Sequence, residues 1–506
     1  MQIRLAHNPF RQIWTRMSRS LMRRRWRVGI GFGMLLAVML TMIEPASSSL
    51  PDPLLLMVYD HEIGVSTRYI GACEGNTGFD RADFADLNIN TYRIYGGMSR
   101  WEAEDDDGNY GSPSIAQIKE NPNLVNWDWW DEVMTHPADG TDYGFSGTPE
   151  ELWQGNARTI FDTLKAAQIR PVVTLRNSDP GWEPAWALQL NPPRTEADWN
   201  EWWEHVFATV YWLNVRNDYH VDDWEIHNEP DNRQQGWGGN QDDYFELMRV
   251  TEDAIAHVYN TYLPNRVYHI HAPKTLGGSN WPRATLDVAP TLFDSVNVHN
   301  YDRNVATYIQ QVREWMQNSP HADAPLWIGE WGTYTTGYTD LAFSLDLIKN
   351  MIRMAQPGES YVDGSHIFSL YDWGQDGFFQ GLIDAAGDRR LSYYAFRLGI
   401  RALQGGKPVT MTALSDDRVM AIATKEDETT LQMLLVNSSG ASVPVHLDLQ
   451  RLMSQGYAVV REFSRAIHDE QIADYDFTEG QLALTVPAQT AWLLTVQEEL
   501  SGSEIF

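Results

Sequence analysis

In DDWEIHNEP, residues 222–230, an apolar start at Trp224 and Ile226 gives way to a polar cluster of Glu225, His227, Asn228 and Glu229, with Pro230 ending the run. A strand that only fills a core has no use for such a cluster. Ahead of it, EADWNEWWEHVFATVYWLNVRN (196–217) carries apolar residues at helical spacing. A helix followed by a short strand that breaks into polar residues is one unit of an alternating β/α protein.

The same pattern recurs on both sides. YIGACEG (69–75), NTYRIYG (90–96), PVVTLRN (171–177), RVYHIHAPK (266–274), DSVNVHNY (294–301), PLWIGEWG (325–332) and SHIFSLYDW (365–373) read as further strands, which makes eight with DDWEIHNEP. Helices fit between most of them, as in ELWQGNARTIFDTLKAAQ (151–168). Eight β/α units predict an α/β fold, a (β/α)8 TIM barrel, with its active site at the C-terminal ends of the strands. Those ends carry Arg93, Arg176, Asn228, Glu229, His299, Tyr301, Glu330 and Trp373. The long connection over 97–150 becomes helical from about Trp127, and its remainder is expected to shape the binding face. Its acidic run EDDDGN (104–109) reads as a solvated turn rather than a calcium loop, because the spaced ligands and closing glutamate of a helix–loop–helix site are missing.

From about residue 404 the pattern changes. VTMTAL, RVMAIAT, TTLQMLLVNSS, SVPVHLDL, YAVVREF, GQLALTV and TAWLLTV alternate or run apolar between turn residues, with no long helix. This predicts a C-terminal β-sandwich over 404–498, after a barrel over 51–403. Residues 51–65 are a candidate extra strand of the sandwich. No Gly- or Ser-rich linker separates the two, so the sandwich is expected to pack on the barrel.

The N-terminus has a different character. RRRWR (23–27) precedes a stretch of 16 uncharged, mostly apolar residues (28–43), and small residues follow in EPASSS. That order predicts a secretory signal over 1–50 and an exported bacterial protein, secreted or held at the cell surface or in the periplasm. The apolar stretch falls short of the roughly 20 residues of a spanning helix. The basic region ahead of it leaves an uncleaved anchor as the alternative, and membrane contact is expected only in that case.

The formal charge of the chain is −30; residues 1–50 hold eight arginines against Glu44, or +7, so the rest carries −37. Such acidity repels phosphate backbones and argues against a nucleic-acid partner. Cys73 is the only cysteine, so no intramolecular disulfide can form. The 21 tryptophans and 22 tyrosines supply core and also flat rings that suit the apolar face of a sugar.

Two glutamates decide the chemistry. Glu229 ends the fourth strand and Glu330 the seventh, so a barrel can set them face to face across its mouth. Hydrolysis of a glycosidic bond needs such a pair: one acid protonates the leaving oxygen while the other carboxylate works opposite it. Singly, Glu229 could be a helix-start carboxylate and Glu330 a buried ion-pair partner. Their joint placement favours catalysis.

NEP closing strand four and GEW in strand seven resemble clan A retaining glycoside hydrolases, most closely family 39, the family of β-xylosidases and α-iduronidases. WEIHNEP and IGEWG stand where that family has its acid/base and nucleophile stretches. VNWDWWDEVM, LKAAQIRPVVTL and LSYYAFRLGIRAL are similar to its second helix, third strand and last barrel helix. His227 departs from the family's usual tryptophan, and the 97–150 connection departs from it as well. The resemblance implies a glycosidase acting on a plant or microbial oligo- or polysaccharide, with Glu330 as nucleophile, Glu229 as general acid and base, and Asn228 on the sugar 2-hydroxyl. Strict alternation would put Asn228 and Glu229 on opposite faces, so both reach the pocket only if the strand bends there.

Arg93 is expected to hold Glu330 ionised or to pair with Glu225 inside the barrel. Tyr301 is placed to donate to Glu330, and His299 to hold a substrate hydroxyl. Trp373 is a candidate pocket floor, and Arg176, Trp101 and Tyr334 are further candidates for substrate contact. No cofactor and no metal are expected: His269, His271 and His299 could imitate a metallohydrolase, yet no bridging carboxylate completes the set. The alternative from another class is an inactive cell-surface carbohydrate-binding protein, which loss of either glutamate would favour; both are present.

Overall fold

The structure, a computed structural model, describes residues 52–74, 81–102, 105–135, 156–176, 191–233, 237–332, 339–372, 381–384 and 386–499. The export segment expected at 1–50 lies outside the described residues, as do Tyr334 and Trp373.

The first strand, β1 (Leu54–Val65), precedes a closed barrel of eight parallel strands. These are β2 (Tyr69–Cys73), β3 (Thr91–Tyr95), β4 (Arg170–Leu175), β5 (Asp223–Ile226), β6 (His269–Thr275), β7 (Ser295–Asn300), β8 (Leu326–Trp331) and β9 (Gly364–Ile367). Strands neighbour one another in chain order, and β9 returns to pair with β2. All eight fall on the stretches expected from the sequence. Parallel strands are covered on both faces. RPVVTL in β4 answers with a nearly continuous apolar run, whereas SVNVHN in β7 is fully buried although four of its six residues are polar. Its polar side chains must find partners inside the barrel, and they build the site described below.

The helices start where a side chain can cap them. Asn156, Thr195, Asn240 and Thr339 each accept a hydrogen bond from the backbone N–H three residues on. The helix expected over 151–168 runs Ala157–Ala166 from the Asn156 cap. The one expected over 196–217 is α-helical over Glu196–Tyr211 and continues as a π-helical turn through Trp212–Arg216. Among the described residues, no helix is long and apolar enough to cross a membrane.

The remaining strands are β10 (Pro408–Leu414), β11 (Met420–Lys425), β12 (Thr430–Asn437), β13 (Val443–Asp448), β14 (Gly456–Phe463), β15 (His468–Phe477), β16 (Gln481–Val486) and β17 (Thr490–Glu498). They join β1 in a nine-stranded sheet of order β15-β14-β17-β12-β11-β10-β1-β13-β16. Alternate residues of strands far apart in this order, such as Val445 and Leu484 at one end and Val460 and Leu494 near the other, share one apolar core. The sheet therefore curls over itself as a two-layer sandwich.

Residues 54–65 pair antiparallel with β10 and parallel with β13. The barrel range that starts at residue 51 thus takes in a strand that belongs to the sandwich sheet. β15, HDEQIADYDF, carries no apolar alternation and has no counterpart in the sequence reading; it is an edge strand, where one side needs no partner and charge is tolerated.

Leu434, Val436, Ala491 and Leu493 face away from the sandwich core and enter the barrel's apolar cluster. This second burial explains why LQMLLVN and TAWLLTV run apolar instead of alternating. Beside it, Asp469, buried on the sandwich, accepts from Arg397 Nε at 2.7 Å and Arg401 Nε at 3.1 Å, both from the helix Leu391–Leu403 of the barrel.

Candidate active site

β5 ends at Ile226, and the chain then leaves extended geometry. His227 and Glu229 take φ of 60° and 46°, in the left-handed region that costs a non-glycine residue roughly 1–2 kcal/mol. Glu229 N–H donates to the carbonyl of Lys274 at 3.0 Å, and His227 N–H to that of Leu175 at 2.6 Å, so neighbouring strands hold the turn. The bend removes the alternation problem: Asn228 and Glu229, adjacent in sequence, both engage the interior of the barrel mouth.

Asn228 Oδ1 accepts from Arg93 Nη2 at 3.0 Å. Arg93, fully buried, also donates from Nε to Glu225 Oε2 at 2.6 Å and from Nη1 to Glu330 Oε1 at 2.7 Å. Both partners expected for this arginine are therefore present at once. Glu225 further accepts from Lys274 Nζ at 2.7 Å, Thr174 Oγ1 at 2.6 Å and Asn297 Nδ2 at 2.7 Å. Burial alone would raise its carboxyl; Arg93 and Lys274 override that and hold it well below the usual carboxylate range.

Glu330 sits between two phenols. Tyr95 OH donates to Oε1 at 2.5 Å, and Tyr301 OH donates to Oε2. Burial pushes this carboxyl up as well, but His299, Arg93, Lys274 and the Tyr301 hydrogen bond outweigh it and bring it down to about 2. Both phenols are pushed well above their ordinary value by burial, so they stay protonated and donate.

His299 Nδ1 lies 2.9 Å from Glu229 Oε1 and 3.4 Å from Glu330 Oε2, between the two glutamates rather than out toward a substrate hydroxyl. Glu229 Oε2 accepts from Asn232 Nδ2 at 3.1 Å. Ligand atoms of Glu229, His299 and Glu330 all lie within 4.8 Å of one another. His271 is elsewhere: it bonds Asp223 at 2.9 Å and pairs in register with Ser295, four residues before His299 and so roughly 13 Å below it. The three histidines that could imitate a metallohydrolase do not converge.

Arg176, almost buried, holds its guanidinium 5.6 Å from the Tyr95 ring centre, at the edge of this cluster. Trp101 does not line the mouth. It is 1% exposed within the barrel's apolar core, its ring against Gly96, where an added Cβ would stand 2.4 Å from it. Cys73, beneath Arg93, is an inert buried thiol pushed up to about 12 by burial.

Tyr95 and Lys274 are among the residues of the site that escaped the sequence reading. Tyr95 lies two positions after Arg93 and so shares its face of β3, a signal the TYRIYG run already carried. Lys274, buried in β6, is the sole basic side chain in HAPKT, and a lysine inside a barrel needs a carboxylate. Burial first, and then Arg93, push its ammonium down to about 7 against the pull of Glu225.

No family model matches the sequence, and no curated protein matches it. Solved structures do. A glucosidase from Croceicoccus marinus superposes with a TM-score of 0.64 at 14% identity, covering 89% of this chain and 100% of that one. A monomeric β-xylosidase from Caulobacter crescentus CB15 gives 0.60 at 16%, covering 88% and 100%. A glycoside hydrolase family 39 enzyme from Xanthomonas axonopodis pv. citri gives 0.59 at 15%, covering 88% and 98%. The chain shares their fold. The similarity spans barrel and sandwich together, and the family 39 resemblance seen in NEP and GEW reappears at the level of architecture.

Proposed function

We propose that the chain is a retaining glycoside hydrolase, with Glu330 as nucleophile and Glu229 as general acid and base. The observation that carries this reading is the unequal setting of two neighbouring carboxylates. Glu330 is held ionised by Arg93, Tyr95 and Tyr301. Among the described residues, the Glu229 carboxyl pairs with no lysine or arginine side chain, only with His299 and Asn232. Two carboxyls in one site with environments that differ in this way divide the work between nucleophile and acid. One oxygen of each carboxyl lies within 4.8 Å of one of the other, which supports the roughly 5–5.5 Å spacing of retaining enzymes over the about 6.5–9.5 Å of inverting ones.

In the first half-reaction Glu330 attacks the anomeric carbon while Glu229 gives its proton to the leaving oxygen. In the second, Glu229 takes a proton from water, and that water displaces Glu330. Asn228, fixed by Arg93, is offered to the sugar 2-hydroxyl. His299 spans both glutamates and keeps their spacing.

The substrate proposed is a plant or microbial oligo- or polysaccharide. The names of the similar structures, glucosidase and β-xylosidase, make gluco- and xylo-configured glycosides the first to test. We also propose export, on the residue order at 1–50. Proton NMR of the sugar released during the first minutes of hydrolysis tests the mechanism: the newly formed anomer should match the substrate's configuration, and an inverted first product refutes the reading.

A further inference from the structure

Lys274 holds a place in the site that strand geometry alone would not give it. Glu225 pairs in register with His271, so the face of β6 turned into the barrel is that of His271. Strict alternation would put Lys274 on the opposite face, with Ile270 and Ala272 of the apolar cluster. A bulge changes this. Against β7, Pro273 pairs with Asn297 and Thr275 with Val298, which leaves Lys274 without an opposite number, and its φ is 56°. A bulge next to a site re-aims one side chain, and this one turns a cation into the barrel.

Fully buried there, the ammonium reaches Glu225 Oε2 at 2.7 Å and Thr174 Oγ1 at 3.0 Å. The carbonyl of the same residue accepts from Glu229 N–H at 3.0 Å. Lys274 thus holds the turn of the proposed acid directly, and the proposed nucleophile through Glu225 and Arg93. Left-handed backbone and a buried ammonium each cost free energy. A residue that only filled space would need neither.

Charge supplies the reason. Among the lysine, arginine and carboxyl groups of this network, Arg93 and Lys274 bring two positive charges and Glu225 and Glu330 two negative ones. Glu229 holds the proton it will donate. When Glu330 bonds to the anomeric carbon, its charge is lost to the ester. Glu229 gives its proton to the leaving oxygen and becomes the carboxylate. The negative charge has moved from one glutamate to the other, and water reverses the exchange. The sum stays at zero throughout; without Lys274 the buried network would be one positive charge short at every stage.

We propose, resting on the retaining mechanism above, that Lys274 is a positioning residue whose ammonium keeps the buried network neutral while charge passes between Glu330 and Glu229, and whose carbonyl holds Glu229 in place for the exchange. The titratable groups around it are Arg93 and Tyr95 of β3, Glu225 and His227 of β5, Glu330 of β8 and His366 of β9. β4 adds Thr174, with Arg176 just past its end, and β7 adds Asn297 on Glu225 and His299 between the glutamates. Burial pushes the Glu330 carboxyl up, and His299, Arg93 and then Lys274 pull it down.

The test uses the full chain and Lys274→Met, which keeps the carbonyl and nearly the length of the side chain and removes the charge. kcat should fall roughly tenfold or more with KM little changed, because the lysine touches no substrate. The acid limb of kcat/KM should move up toward the ordinary carboxylate range, since Glu330 has lost a cation that favours its ionised form. Lys274→Met combined with Glu225→Gln removes one charge of each sign, so its acid limb should return toward that of the wild type and its rate should exceed the product of the two single effects. A lysine that only packs the barrel would lower the melting temperature and leave the limb where it was. The proposal is overturned if the limb of Lys274→Met coincides with that of the wild type, or if the double variant is displaced as far as the single one. Should Lys274→Met fail to fold, the double variant should still fold, and its failure overturns the proposal too. Glu330→Ala tests the catalytic reading by itself: if it abolishes activity while Lys274→Met keeps the wild-type limb, only the role of Lys274 falls.

Discussion

Arg93 joins Glu225 to Glu330: one guanidinium reaches the first through Nε at 2.6 Å and the second through Nη1 at 2.7 Å. Glu225 lies within β5 and Glu330 in β8, so this contact crosses the barrel and aims the proposed nucleophile from beneath. Glu225 touches no reacting atom in the proposed mechanism; it is a positioning residue that fixes the arginine.

Glu225→Gln should therefore damage both stability and rate. Removing one partner of a buried, hydrogen-bonded ion pair costs about 3–5 kcal/mol, here with Arg93 and Lys274 left facing one carboxylate fewer. Thermal melts should show a clear drop, and kcat should fall more than KM rises. An unchanged melt would mean the network carries no stability.

Glu330→Ala and Glu229→Ala should part by stereochemistry. Without Glu330 the covalent route is lost, and activity should fall by several orders of magnitude. Added azide then attacks once and gives a glycosyl azide of inverted configuration. Without Glu229, substrates with good leaving groups still load Glu330, and azide displaces it to give net retention. NMR of the two products checks the roles; two products of the same configuration contradict them.

The acid limb of the pH profile should lie far below the ordinary carboxylate range. Glu330 is depressed to about 2, so its ionised form, and the stability it contributes, is fully present above pH 4.5 and is lost as pH falls from there toward 2. Tyr301→Phe removes a hydrogen bond that favours the ionised form while burial remains, so the acid limb of kcat/KM should move up toward 4.5. Glu229→Gln should leave that limb in place. An acid limb unmoved in Tyr301→Phe would show that the phenol does not tune the nucleophile.

If residues 1–50 are a cleaved signal, the mature chain should begin between about residues 45 and 52, where small residues follow the apolar core. N-terminal sequencing of protein from the native host reads this. Met1 intact on a membrane-bound chain would indicate an anchor, and Met1 intact in the cytoplasm would refute export.

Much of this architecture is written locally. Buried parallel strands need apolar runs, and a barrel needs eight, so β2 to β9 stand out in the sequence. Glu229, Glu330, Arg93 and Tyr301 were legible because strand ends converge in a barrel. Tyr95 and Lys274 were harder, since each looks like core until its partner across the barrel is known. Trp101 misled for the converse reason: a tryptophan beside the mouth in sequence turned inward to fill the space over Gly96. The polar β15 escaped because an edge strand needs no apolar alternation.

β1 lies between β10 and β13, inside the sheet and not at its rim. The sandwich is thus begun before the barrel and finished after it, and the barrel is in effect a very long insertion between two neighbouring strands. During synthesis β1 emerges first and must wait, with Leu54, Leu56 and Val58 uncovered, until the whole barrel and the last strands have been made. A cut at residue 404 would not release two domains. It would leave a barrel trailing an unpaired apolar strand and a sheet with a gap in its middle, so separating the parts calls for a permuted chain in which β1 follows β17.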